Sequence, residues 1–519
     1  MGQATNQPAH HITAQKDKVP LFQKIVYGIG SFVNQFQAAA IGQLISVLNL
    51  GLGMNPALVG TIGAVPRFID AFSDPLIGHS SDNTRTRWGR RKPWILFGAI
   101  TSGILFALMF QLYKGRSENY YFWYVLGIQT LFVIAFACYS IPWIALGYEM
   151  TPDYHERTRL QAFANFFAQP VWMIAPWFLM IIGSKEIPIK IWKWSLTINT
   201  GFTDVVHGAR VVAIIVGVFI IIGGILPAIF NKEHFANLPK PEKQKGYTSV
   251  IKDLLSNCAT SFRCGPFVKL IAVTFLIFNG FMLASAFSTY VIFFYVFGGQ
   301  PTMDKMWQNG GAFLGLFGTV SSICTLLAIS LTAWVSTKLG KRKTFLIAMC
   351  LAIAGYGLKW FGYNPQHPYL LLIAAPFLAF HLGALFTMVP SMVADVCDLD
   401  ELQTGTRREG MFSGIYWWIQ KLGQAGASIL SGILLNVTGF NIGLGLNQSA
   451  NTLFYMRLCD IGIPIATSLV AIYIIMTFDI SEAKAYDIRA QVERRREERR
   501  VEAIRVEEER RKGERRGDA

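Results

Sequence analysis

The sequence predicts an all-α polytopic membrane protein, crossing the bilayer twelve times as two six-helix halves. Three observations carry that expectation. Of the 519 residues, 52% are hydrophobic and only 15% are charged, at a mean hydropathy of +0.37, whereas soluble domains carry roughly a quarter of their residues as charged types. The apolar residues gather in long stretches close to the roughly 20 residues a helix needs to cross the hydrocarbon core. The charges gather between those stretches, in a pattern that repeats from one half to the other.

In chain order, the first six spans are expected near 24–49, 56–80, 94–113, 121–148, 161–183 and 208–231. The second six follow near 266–296, 311–336, 344–363, 368–394, 411–438 and 453–478. The polar segment 232–265, rich in Pro and Lys, reads as a cytoplasmic linker lying along the membrane surface. The domains are therefore 1–231, the linker 232–265, 266–479 and a charged tail, 480–519. Six spans, a linker and six spans is the layout of the major facilitator architecture. The first twenty residues lack the apolar core of a signal peptide, so the spans themselves drive insertion.

An internal repeat supports the division. RTRWGRRKPWILFGAI after the second span recurs as STKLGKRKTFLIAM after the eighth, each with a Gly among basic residues just before the next helix. The loops after spans four and ten, YEMTPDYHERTRLQAF and ADVCDLDELQTGTRREGMF, share an acid near a helix end followed by Arg. The eighth span has no counterpart of the second span's acids, which sets them apart from scaffold.

The net charge of +15 is read as basic loops kept on the cytoplasmic side, not as nucleic-acid binding. Arg85, Arg87, Arg90, Arg91 and Lys92, then Lys338, Lys341, Arg342 and Lys343, the linker lysines and the tail share one side. Both termini are thus expected in the cytoplasm of a multi-pass protein of the inner (plasma) membrane. The tail, with Glu and Arg at i,i+4 spacing, reads as a solvated helix or a disordered segment. Seven scattered cysteines show no metal-ligand spacing and read as small buried hydrophobes. No Walker loop, HExxH or GxSxG motif is present. An enzyme is not expected, and neither is a resident cofactor.

The chemistry is expected to centre on PRFIDAFSDPLIGHSSDNTRTRWGRRKPW, residues 66–94. Asp70 and Asp74 are four residues apart and so share a helix face. Carboxylates in a membrane helix are costly and usually functional. The pair is read as a site for a cation, or for a proton shared under like-charge repulsion, with Arg67 as a coupling residue; the alternative is a pair neutralised by Arg67 or the loop arginines that only locks the closed state. Lys421, mid-span in MFSGIYWWIQKLGQAGASILSG, needs an anion; Asp70 and Asp74 are taken as the only deep acids, making Lys421 a coupling residue.

Candidate substrate contacts are Asn34 and Gln35 in the first span, Ser140 and Trp143 in the fourth, Asn165 in the fifth, Asn279 in the seventh, His381 in the tenth, and Trp417 and Trp418 in the eleventh. Amides and hydroxyls suit sugar hydroxyls, and an aromatic face suits the apolar side of a pyranose. Equally, membrane Gln and Asn often glue helices together. Gating is expected of Gly89 with Arg90 and Arg91, and of Arg342, pairing with acids such as Glu149 and Asp395.

IDAFSDPLIGHSSDNTRTRWGRRKPWILFG, with YGIGSF, SIPW and MVADVCDLDELQTGTRREG, resembles the glycoside–pentoside–hexuronide:cation symporter family. The resemblance covers most of the chain and is sharpest at 66–98 and 392–424. It implies a major facilitator fold and co-transport of a sugar or glycoside with sodium, lithium or a proton. Asp70 and Asp74 fall on the family's cation-binding acids, and Lys421 on its eleventh-helix lysine. Gln35 and Ser140 replace sugar-contacting acids of the family, and Asn165 an arginine. Ala137 replaces a hydroxyl that helps hold sodium, and Ser73 an Asn, which favours H+ over Na+ at Asp70 and Asp74. The expectation is a cation-coupled sugar importer working by alternating access, monomeric, with membrane lipid as its other partner. The alternatives are the same fold carrying a modified glycoside or an amphiphilic, lipid-like solute, or a non-transporting sensor.

Overall fold

The computed structural model describes residues 18–151, 153–191, 194–233, 256, 261–405, 408–480, 483–498 and 501. Most of the expected linker and the end of the tail lie outside the described residues.

Capping chemistry starts several of the helices. α1 spans Leu21–Leu44. α2 (Pro56–Asn83) begins at Asn55, whose side-chain oxygen accepts from the Ala57 N–H at 2.9 Å, and Pro56 occupies a first-turn position where no N–H is required. α3 is Lys92–Met109. α4 (Glu118–Glu149) is capped by Ser117. α5 runs through Tyr154–Ile174, a 3-10 turn Ala175–Trp177 and Phe178–Gly183; Asp153 caps it by accepting from the Glu156 N–H at 2.8 Å. α6 (Val205–Phe230) begins at Asp204, which accepts from the His207 N–H at 2.9 Å.

The second series opens with α7 (Gly265–Tyr290), which continues as a π-helical turn, Val291–Val296. α8 is Met303–Leu339 and α9 Lys341–Gly362. α10 (Ala375–Thr404) follows a 3-10 turn, Pro368–Ala374, and ends at Gly405, whose φ of 72° suits a residue without Cβ. α11 is Glu409–Val437 and α12 Ala450–Met476. Among the described residues, nine helices are long and apolar enough to cross a membrane. The three long helices that fall short are α1, α2 and α11. They carry Asn34 and Gln35, Asp70 and Asp74, and Trp417, Trp418 and Lys421: the polar residues of the expected site are what lowers their hydropathy.

The chain forms two compact units: unit one joins the whole first series to parts of α7, α8, α11 and α12, and unit two is built from the rest of the second series. Unit one contains residues 1–251, 289–322 and 428–456. Its interior is packed through small residues, as membrane helices require in the absence of a hydrophobic drive between them. A Cβ on Gly98 of α3 would run into the backbone of Tyr139 in α4. The Tyr139 hydroxyl donates to the Gly30 carbonyl at 3.0 Å, and Trp143 stacks on Tyr27 at 4.7 Å.

Between α5 and α6 stands a hairpin that the sequence reading treated as loop. β1 (Glu186–Ile191) pairs antiparallel with β2 (Trp194–Asn199), Glu186 opposite Asn199 and Ile191 opposite Trp194. The alternation EIPIKI, with β-branched and aromatic residues in WSLTI, was the available signal. Lys185 ties its base to Asp304 of α8 at 2.8 Å.

Unit two contains residues 252–288, 323–427 and 457–519. Phe267, Phe345, Phe412, Met388 and Val389 are buried in its core, with Phe267 edge-on to Phe412 at 4.7 Å. Residues 483–498 form a last helix, α13, where the sequence suggested a solvated helix or a disordered tail. Ile488 and Val492, one turn apart, are buried. Arg496 donates to both carboxylate oxygens of Glu401 at 2.7 and 2.6 Å. Two aliphatic residues in a charged run are a faint signal, and the charges masked it.

Candidate functional site

The acid pair of α2 lies between two prolines inside the helix, Pro66 and Pro75. Each lacks the N–H of the helical ladder, so the carbonyls of Ile62 and Ala71 lose their i+4 donors. Asp70 is buried at 3% exposure; Asp74 and Arg67 are half-buried. The Ser73 hydroxyl donates to the Asp70 carbonyl at 3.3 Å. One turn past Asp74, Ile77 packs with Ala137 and Cys138 of α4, lined by Trp94 and Ile141. This wall offers α2 methyl groups and a thiol instead of oxygens.

The other candidates of unit one are spread over its helices. Asn34 and Gln35 are half-buried on α1, and the Asn34 side-chain oxygen has no hydrogen-bond partner among the described residues. Ser140 and Trp143 are buried in α4. Asn165 of α5 is exposed. Sequence reasoning missed Gln37, which is fully buried with both amide atoms unpartnered among the described residues. Its signal was an amide in an apolar span, the same one that marked Asn34 and Gln35.

At the basic end of unit one the loop after α2 closes into a cluster. Gly89 takes a φ of 109°, which lets the chain turn between Thr86 and Arg90. Glu149 Oε1 then accepts from Arg90 Nη2 at 2.6 Å and from Arg91 Nε and Nη2 at 3.1 Å. Arg91 also holds Ser81 at 2.7 Å and pairs with Asp82. The Arg90 and Arg91 amides donate to Glu233 at 3.1–3.3 Å. Sequence reasoning missed Asp82 and Glu233.

Unit two holds the remaining candidates. Lys421 is half-buried on α11. Asn279 of α7 is buried, its amide donating to the Phe275 carbonyl of its own helix at 2.9 Å. His381 is buried at 2% exposure, and Trp418 packs on the core. Trp417 is 54% exposed. In the repeated loop the pairing shifts by one residue from that foreseen. Lys341 binds both oxygens of Asp395 at 2.7 and 2.8 Å, while Arg342 donates to the carbonyls of Ile475 and Met476 at 3.1 and 2.5 Å. Those carbonyls close α12, where a cation is favoured by the helix dipole.

The sequence reading took Asp70 and Asp74 as the only deep acids, and that is corrected here. Asp460 of α12 is 0% exposed and pairs with Lys359 of α9 at 2.8 Å. Both lie inside expected spans, so the criterion that picked out Lys421 applied to them as well.

Many apolar helices of span length, with acids on α2, a lysine on α11 and charge clusters in the equivalent loops, are the features of a membrane carrier. Residues 26–482 match the family described as MFS/sugar transport protein. The chain is 25% identical to the isoprimeverose transporter of Lactiplantibacillus pentosus, over 88% of each chain. It is 23% identical to the glucuronide carrier protein homolog of Escherichia coli K12, over 91% of this chain and 95% of that one. In fold it is similar to a bacterial homolog of the human lysosomal transporter Spinster, at a TM-score of 0.61 and 16% identity, over 89% of this chain and 98% of that one. The chain belongs to the MFS/sugar transport family, within it to the glycoside–pentoside–hexuronide:cation symporters. It is a transporter and not an enzyme.

Proposed function

We propose that this protein imports a sugar or glycoside together with a proton, by alternating access, and that Asp70 and Asp74 are where the proton rides. The acid pair on α2 carries the proposal. Sodium needs several hard oxygen ligands at once, whereas a proton needs one carboxylate whose neutral form is stabilised by burial. Ala137 of α4, packed with Ile77 one turn past Asp74, brings a methyl to this part of α2 and no oxygen. Relatives that carry isoprimeverose and glucuronide by name support a sugar or glycoside as cargo, with Asn34, Gln35 and Ser140 on this chain as candidate hydrogen-bonding groups.

Lys421 is the proposed coupling residue. A lysine in an apolar stretch needs a compensating anion, and a carboxylate pair that gains and loses a cation is a partner of changing charge. On this reading, loading and emptying the acid pair changes the charge that Lys421 has to balance. The asymmetry of Lys and Arg between loops supports cytoplasmic termini in the inner membrane, and the chain is taken to act as a monomer among lipids.

The test is uptake into proteoliposomes across a panel of labelled glycosides, driven separately by a pH gradient and by a sodium gradient. The expected result is accumulation with the pH gradient alone, lost in Asp70→Asn by about a hundredfold while exchange persists. Full accumulation by Asp70→Asn, or accumulation that follows sodium, overturns the assignment.

A further inference from the structure

A buried ion pair in unit two has no part in the proposed coupling. Lys359 Nζ lies 2.9 and 2.8 Å from the two oxygens of Asp460. Ser288 of α7 donates to Oδ1 at 2.8 Å and the Tyr363 hydroxyl to Oδ2 at 2.7 Å. Lys359 also donates to Ser288 at 2.8 Å. The rings of Tyr356 and Tyr363 flank the ammonium at 5.7 and 5.4 Å. One level along, the Arg457 guanidinium lies 4.3 Å over the Trp360 ring and donates to the Trp360 carbonyl at 2.9 Å. Three helices, α7, α9 and α12, are thereby tied at one depth.

That depth coincides with a break in the regularity of α7. Three residues beyond Ser288, α7 passes from α to π geometry at Val291, a change found frequently at functional sites. Each carboxylate oxygen of Asp460 already accepts two donors, leaving little capacity for a passing ion. A fully satisfied, charge-neutral pair of this kind specifies position more than it adds stability.

We infer that Lys359 and Asp460, with Ser288 and Tyr363, form a pin that fixes α7, α9 and α12 at the level of the π turn, so that α7 bends just beyond the pin when the protein changes state. The pin is a positioning device, and it stands whichever sugar or ion is carried.

A cargo-independent test uses a cysteine-free background with Ser428→Cys as reporter. Its alkylation by a membrane-impermeant maleimide reads the parting of α2 and α11. The variants are Lys359→Met, Asp460→Asn, the double Lys359→Met/Asp460→Leu, and Tyr363→Phe, which keeps the ion pair. Both single charge removals should lower the thermal midpoint and change the alkylation rate about fivefold. The double variant should recover the midpoint yet keep the roughly fivefold change in rate, and Tyr363→Phe should alter the rate about twofold with its midpoint intact. A double variant that alkylates like the parent makes the pair mere filling and overturns the pin. If the double variant does not fold, unchanged rates in both Tyr363→Phe and Ser288→Ala overturn it equally. Loss of accumulation with retained exchange in Asp460→Asn, as expected for Asp70→Asn, would make Asp460 an ion carrier instead.

Discussion

Ser428 of α11 lies against Gly60 of α2 so closely that a Cβ on Gly60 would meet its carbonyl oxygen. The same seam continues at Gly432 of α11 against Pro56, and Asn436 donates to the Asn55 side chain at 2.7 Å. A second seam joins α8 to α5: Gly315 packs on the Trp177 ring, whose indole N–H donates to Thr319 at 3.0 Å. Both seams lie within unit one, at the end away from the basic loops. In a protein that works by alternating access, backbones held this closely must part for that end to open.

A wedge in one seam should therefore open the other. Gly315→Leu, tested with the Ser428→Cys reporter, is expected to raise maleimide alkylation about fivefold, by shifting the population toward the state open at that end. Net uptake should fall at the same time, because the return step loses its packed state. Unchanged alkylation would mean that the two seams do not move together.

Glu149 takes three arginine N–H groups on one oxygen within a mostly buried cluster, whereas Lys341 and Asp395 in the repeated loop form a half-exposed pair. The two loops look alike in sequence but should respond differently. Glu149→Gln leaves Arg90 and Arg91 poorly compensated and should cost about 3 kcal/mol. Lys341→Met should cost below about 1 kcal/mol. Unfolding in detergent, followed through tryptophan fluorescence, separates the two; equal losses would contradict the burial argument.

Much of this was legible in the sequence because membrane burial acts on residue type directly. An apolar stretch of span length, an acid pair at i,i+4 and a Gly among arginines each state their own physics, and α2 with its loop was readable on that basis alone. What escaped depended on partners far apart in sequence. Asp460 and Lys359 are 101 residues apart, and nothing local to either names the other. Arg342 and Lys341 are adjacent basic residues, and only the end of α12 decides which of them takes its carbonyls. The hairpin at 186–199 and the docking of α13 were hidden for a third reason: both are short apolar patterns set among stronger polar ones.

The amino-terminal segment is tied down through Glu156 of α5, which accepts from the Lys24 ammonium at 2.6 Å and from the Val19 N–H at 3.0 Å. Burial pushes its carboxyl upward, but Lys24 and the Val19 amide outweigh that and hold it below the ordinary 4.5. The folded value lies below the unfolded one, so its stabilisation is present above about 4.5 and lost as pH falls through the folded value. Glu156→Gln should lower stability by about 1–3 kcal/mol at pH 7. The difference in thermal midpoint from the parent should shrink as the pH is taken below about 4.5. A difference that is constant with pH would assign the effect to packing alone.

Removal of the tail after residue 480 tests whether α13 braces unit two. It takes away the buried side chains of Ile488 and Val492 and the Arg496 pair with Glu401, but leaves Asp479 bound to Lys269 at 3.0 Å. Two aliphatic side chains returned to water should lower stability by about 3 kcal/mol. Arg496→Ala alone should cost below about 1 kcal/mol, because that guanidinium is 47% exposed. If Arg496→Ala matched the full truncation, the ion pair rather than the aliphatic turn would hold the helix in place. If neither variant lowered the midpoint, α13 would contribute nothing to unit two, and the burial of Ile488 and Val492 would have no energetic consequence.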